Sequence, residues 1–141
     1  MAGDPPTMSV GQVFTCLEEL QQHSTEYGLE PQIWTAAVLT AKLYRAWARG
    51  EKPEHQQWEE ALKALPQNRR PEEVNLREMS RGTLACVFVY WAATAGVTGE
   101  RGYAEATAKA SRAYEQLRRW GVKPPAEPRK RPWNWLLGRN S

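Results

Sequence analysis

The feature that most constrains this chain is the stretch Leu84–Ala93, ten consecutive apolar residues reading LACVFVYWAA. They stand in a sequence whose mean hydropathy is −0.69. Ten residues are about half of what a helix needs to cross a bilayer, so the run is not a membrane span. Its lead-in, NLREMSRG, is polar and carries Arg77, Glu78 and Arg81. A helix that is apolar all round must be enclosed by other elements. The run therefore predicts a central helix, wrapped by the rest of the chain, with Leu84, Cys86, Val87 and Phe88 inaccessible.

The remaining sequence supplies the wrapping in helical units. At 141 residues it fits one domain with a modest core. Ser9 is placed to cap a first helix whose apolar positions Val10, Val13, Phe14, Leu17 and Leu20 fall at helical spacing, with Tyr27-Gly28 ending it. Pro31 suits the first turn of a second helix. Ile33, Trp34, Ala37, Val38, Ala41, Leu43, Tyr44 and Trp47 form its apolar set, and Trp34 is expected in the core. Lys42, Arg45 and Arg49 lie on its wet side, and Gly50 stops it. Pro53 opens a short third helix with Trp58, Leu62 and Leu65 inward, and Pro66 closes it. Pro71, followed by Glu72 and Glu73 where the helix dipole favours acids, starts the fourth, which contains the apolar run. GVTGERG reads as a connector. A fifth helix then places Tyr103, Ala106, Ala110, Ala113, Tyr114 and Leu117 on one face. No stretch alternates with period two and nothing repeats at a fixed period. The fold expected is all-α: a compact five-helix domain over about 8–121 with a buried fourth helix, between a flexible segment 1–7 and a basic, Pro- and Trp-containing tail, 122–141.

Chemistry is sparse. Cys16 and Cys86 have no CxxC spacing and read as small core residues in a reducing setting. His23 and His55 are single histidines among polar neighbours. The pairs Glu18/Glu19, Glu59/Glu60 and Glu72/Glu73 are adjacent, so on a helix they diverge by about 100° and do not form acid–base dyads. Gly96, Gly99 and Gly102 lack the preceding strand and following Lys-Ser/Thr of a phosphate cradle, and a KH-type GxxG clamp needs strands that are not read here. No enzyme, cofactor or metal is expected. MAGDPPTMSV lacks a signal-peptide pattern, so secretion is not expected.

Charge is more informative. From Arg118 onward, Arg118, Arg119, Lys123, Arg129, Lys130, Arg131 and Arg139 face a single acid, Glu127. Such a tail suits nucleic acid or an acidic leaflet, or serves solubility alone. Lys42, Arg45 and Arg49, at i, i+3 and i+7, add a basic stripe on one helix face. Trp133 and Trp135 beside Arg129-Lys130-Arg131 make a secondary basic patch with interfacial aromatics.

The order of elements and several strings resemble the matrix domain at the N-terminus of lentiviral Gag, over about residues 8–121. SVGQVFTCLEEL resembles its first helix, Ile33-Trp34 the start of its second, and WEEALKALPQ its third with the exit loop. NLREMSRGTLACVFVYW resembles its fourth, with Leu76, Arg77, Thr83, Leu84, Ala85 and Phe88 matching if one residue is inserted. The resemblance implies a retroviral matrix-like structural protein of the host cytoplasm, the inner face of the membrane and the virion. It implies binding to acidic phospholipid surfaces, support of particle assembly and self-association, including as a trimer. It also implies phosphoinositide contact by Arg77 and Thr83, which with Lys42, Arg45 and Arg49 form the expected membrane-binding set. The family's Gly directly after the initiator Met is Ala2 here, so the acylation motif is absent, and HSTEYGLEPQ carries no Lys or Arg where the family has a basic loop. A local resemblance competes: ASRAYEQLRRWGVKP, 110–124, is similar to the second helix and exit of a pentatricopeptide RNA-binding repeat, and YGLEP echoes its end. That implies RNA as partner, although solenoids need several stacked units. An unrelated α-helical interaction domain is the third reading.

Overall fold

The computed structural model describes residues 7–66 and 80–120, and among these every regular element is an α-helix. Ser9 begins α1, Val10–Gln22, through a reciprocal cap: its Oγ accepts from the Gln12 N–H at 3.1 Å and its own N–H donates to Gln12 Oε1 at 2.8 Å. His23 interrupts the path, and the four-residue α2, Ser24–Tyr27, follows before Gly28, at φ 69°, turns the chain. What reads as one helix ending at Tyr27-Gly28 is thus two pieces.

Pro31 stands in the first turn of α3, Pro31–Ala48. α4, His55–Lys63, is capped by Glu54 and Gln57 in the same reciprocal manner. α5 spans Arg81–Thr98 and α6 spans Glu100–Trp120. Two readings need correction here. Ser80 is extended (ψ 164°) and caps α5 by accepting from the Thr83 N–H at 3.2 Å, so no single helix runs from Pro71 into the apolar stretch. The expected connector GVTGERG is almost entirely helical, because Gly99 alone, at φ 65°, makes the reversal.

α5 is the centre. Leu84, Ala85, Cys86, Val87, Phe88, Val89, Ala92, Ala93 and Ala95 are buried over most of its circumference, and Tyr90, Trp91 and Thr94 are half-buried. Its most extensive partner is α6, antiparallel to it: the Phe88 and Tyr114 rings are 4.8 Å apart, and Lys109 Nζ lies 4.4 Å over the Trp91 ring. α4 crosses α5 where Gly96 removes a side chain; a Cβ there would overlap the indole of Trp58. Trp58 also meets Tyr44 and Trp47, and Tyr103 closes this aromatic cluster against Trp47 at 5.5 Å. The Tyr44 hydroxyl donates to the Ala92 carbonyl at 2.6 Å, which fixes α3 against α5. The result is an all-α compact domain in which α1, α3, α4 and α6 enclose α5.

Trp34 corrects a further expectation. It is 45% exposed and is the exposed large hydrophobic residue among those described. The buried residues of α3 are Ile33, Ala36, Ala37, Thr40, Ala41, Leu43 and Tyr44. One residue beyond Ile33, Trp34 is rotated by about 100° away from the centre of that face. Adjacency in sequence to a core residue does not place a side chain in the core.

Candidate functional site

α3 divides its surface cleanly. Opposite the core face lie Trp34, Val38, Lys42 and Arg45, and Arg49 follows at the C-cap; spaced at i, i+4, i+8, i+11 and i+15, they fall within an arc of roughly 80° at about 100° per residue. Lys42, Arg45 and Arg49 are exposed and Val38 is half-buried. The sequence of α3 contains no Asp or Glu, so no carboxylate of its own neutralises this stripe. Arg45 lies in the last turn, where a cation also complements the helix dipole. Arg49 Nε is 3.2 Å from Glu51 Oε2, with both side chains more than half exposed. An exposed pair of this kind contributes about 0–1 kcal/mol, so it does not remove Arg49 from service. Behind Lys42, a cleft of about 260 Å³ runs between α3 and the entry to α4, and Lys52, Glu51 and Gln57 also line it.

The expected membrane-binding set is therefore only partly assembled among the described residues. Lys42, Arg45 and Arg49 share one face. Thr83 is half-buried in the first turn of α5, where its Oγ1 accepts from the Ser80 hydroxyl at 3.0 Å and its N–H is held by the same side chain. Its polar atoms are engaged in starting the helix. Arg77, and the secondary set Arg129, Lys130, Arg131, Trp133 and Trp135, lie outside the described residues.

A second concavity, about 780 Å³, opens between residues of α1 and α6, with Gln12, Thr15 and Cys16 on one side and Ser111, Tyr114 and Arg118 on the other. The Tyr103 hydroxyl donates to the Met8 carbonyl at 2.6 Å at one end. At the other, the Tyr114 hydroxyl donates to Glu19 Oε1, and Arg118 Nη2 donates to the same oxygen at 3.2 Å while its guanidinium carbon lies 5.4 Å from the centre of the Tyr114 ring. The Tyr114 hydrogen bond first, and then Arg118, hold the Glu19 carboxyl below the usual carboxylate range. Burial, together with that bond, pushes the Tyr114 hydroxyl well up. Cys16 lines this groove, and its thiol is raised by burial to about 11. It stays protonated near neutrality and is a poor nucleophile there. Sequence reading missed this Glu19–Tyr114–Arg118 cluster because its members are separated by 95 and 99 positions.

His23 and Glu26 are 3.7 Å apart beside and within α2, and His55 and Glu59 are 3.0 Å apart on one face of α4, both local pairs. Cys16 and Cys86 are both buried, and neither is joined in a disulfide. Among the described residues no group of three or more His, Cys, Asp or Glu is placed to hold a metal ion, and no helix is long and apolar enough to cross a membrane. The segment resembling a pentatricopeptide helix lies in α6 as far as Trp120; it turns Ala110, Ala113, Tyr114 and Leu117 inward and Arg112, Glu115, Arg118 and Arg119 outward. No known family model, no curated protein and no solved structure matches this chain.

Proposed function

We propose that this protein is a non-enzymatic, matrix-like structural module that binds acidic membrane surfaces through the outer face of α3. One observation carries the reading: Lys42 and Arg45 on α3, a helix without a carboxylate, and Arg49 at its C-cap share a single exposed face opposite the core. A cation held close to an acidic leaflet contributes about 1 kcal/mol, so three together strengthen binding by roughly a hundredfold over a neutral face. Such an attraction is reversible and falls with salt, because the screening length shortens to about 10 Å at 0.1 M. The resemblance to lentiviral matrix domains supplies the biological setting, a protein lining the inner face of a membrane and supporting particle assembly. Self-association belongs to that setting.

Flotation of the full chain with vesicles tests the reading. Binding to phosphatidylcholine–phosphatidylserine vesicles, weakening as salt rises and missing with pure phosphatidylcholine, is the expected result. A filter-binding assay with single-stranded RNA runs beside it. Sequence-selective RNA binding without vesicle binding would overturn the membrane reading in favour of RNA recognition.

A further inference from the structure

We infer that Trp34 is a membrane-interface anchor, and that α3 lies flat on an acidic bilayer with Trp34 inserted at one end and its cations against headgroups along the rest. The inference rests on the membrane-surface reading and adds to it a contact residue, a depth and an orientation.

Trp34 stands where the fold does not require it. Its helix already has a continuous inner face of seven buried residues, from Ile33 to Tyr44, and Trp34 is outside it, 45% exposed. A single exposed apolar residue needs no explanation by itself. Its position gives one. Trp34 shares the narrow outer arc with Val38, Lys42, Arg45 and Arg49, so whatever planar surface meets the cations also meets the indole. At 1.5 Å per residue, Trp34 is about 12 Å from Lys42 and about 22 Å from Arg49 along the axis, a strip laid out in one line.

The chemistry of that strip selects its partner. Trp has an apolar body with one N–H donor, and it concentrates at the headgroup level of bilayers, where one end is apolar and the other wet. Lys and Arg extend their aliphatic stems over apolar surface and keep their charges in the headgroups. An in-plane helix with aromatic and basic residues on one exposed face combines area burial with attraction to anionic lipid. The strip's positive charge complements an acidic leaflet, and the half-buried Val38 continues apolar contact between Trp34 and Lys42. Neither signal alone gives firm binding. Aligned on one rigid helix, they act at once and set the angle at which the domain meets the membrane.

The test uses the full chain, its Trp34→Ala and Trp34→Phe variants, and mixed phosphatidylcholine–phosphatidylserine vesicles with and without brominated acyl chains. Burying the exposed part of an indole accounts for about a tenfold change in partitioning. Trp34→Ala should lose about that factor at every salt concentration, leaving the slope of binding against salt unchanged, because no cation is removed. Trp34→Phe should recover most of the binding. Brominated lipid should quench the emission of the parent, and Trp34→Phe should lose a defined part of that quenching. If the parent still prefers acidic vesicles while Trp34→Ala binds as tightly and quenching is the same in parent and Trp34→Phe, the anchor is refuted and the cationic reading stands. If the parent shows no preference for acidic vesicles, both fail. Thermal melting of both variants like the parent keeps a binding loss from being mistaken for unfolding.

Discussion

α3 and α5 are each eighteen residues long and lie against one another, yet they meet their surroundings in opposite ways. α5 buries nine residues over most of its circumference, leaves Tyr90, Trp91 and Thr94 half-buried, and carries no charged side chain after Arg81. α3 buries one face and turns Lys42, Arg45 and the Trp34 indole outward, with Arg49 exposed at its C-cap. An element enclosed over most of its circumference leaves little surface for a partner, so its residues answer mainly to packing. A two-faced element satisfies the core with half its circumference and leaves the other half free for recognition. Substitutions in α5 should therefore be read out in stability and substitutions on the outer face of α3 in binding.

The largest expected effect is in α5. Phe88→Ala should cost about 3–5 kcal/mol, since Phe88 is fully buried with its ring tilted against that of Tyr114, and that loss rivals the stability of a whole small domain. Denaturant unfolding measures it. A variant as stable as its parent would remove α5 from the centre. Gly96→Val comes next. The new side chain would collide with the Trp58 indole and should cost about 2–3 kcal/mol, with altered tryptophan fluorescence as α4 is displaced.

A smaller effect is expected at the α1–α6 contact. Tyr114→Phe removes a hydrogen bond to a carboxylate and should cost about 1–2 kcal/mol. The same contact depends on pH. Because the Glu19 carboxyl is depressed in the folded state, its contribution is complete above the ordinary glutamate range and is lost as the pH falls through its folded value. Stability measured against pH should fall more steeply on acidification in the parent than in Glu19→Gln; identical profiles would show that the cluster does not couple to folding. The smallest change in stability belongs to α3. Trp34→Ala should alter unfolding free energy by only about 0.5 kcal/mol, the usual scale for surface sites.

The contrast between the two helices was only half legible in the sequence. An unbroken apolar run leaves few alternatives to enclosure, so α5 could be recognised from composition alone. The periodicities of α1, α4 and α6 are carried by repeated side chains, and the structure agrees with them at Val13, Leu17, Trp58, Ala110 and Leu117. Hydrophobicity alone points Trp34 to the core, whereas its angle relative to Ile33 turns it outward. The Gly96–Trp58 contact and the Glu19–Tyr114–Arg118 cluster join residues far apart in the chain, and no local pattern announces such meetings. Ser80 caps α5, yet Pro71 and the acids that follow it carry the stronger helix-start pattern in the sequence. Of the expected contact residues, the stripe Lys42–Arg45–Arg49 was legible because i, i+3 and i+7 determine a face wherever the helix lies.

The most direct test is to replace Lys42, Arg45 and Arg49 together by Glu and measure flotation with acidic vesicles beside thermal melting. The account predicts a folded, cooperatively melting protein, destabilised by no more than about 1–2 kcal/mol as acids replace cations near the helix C-terminus, that no longer floats. A folded triple variant that floats as the parent does would contradict it.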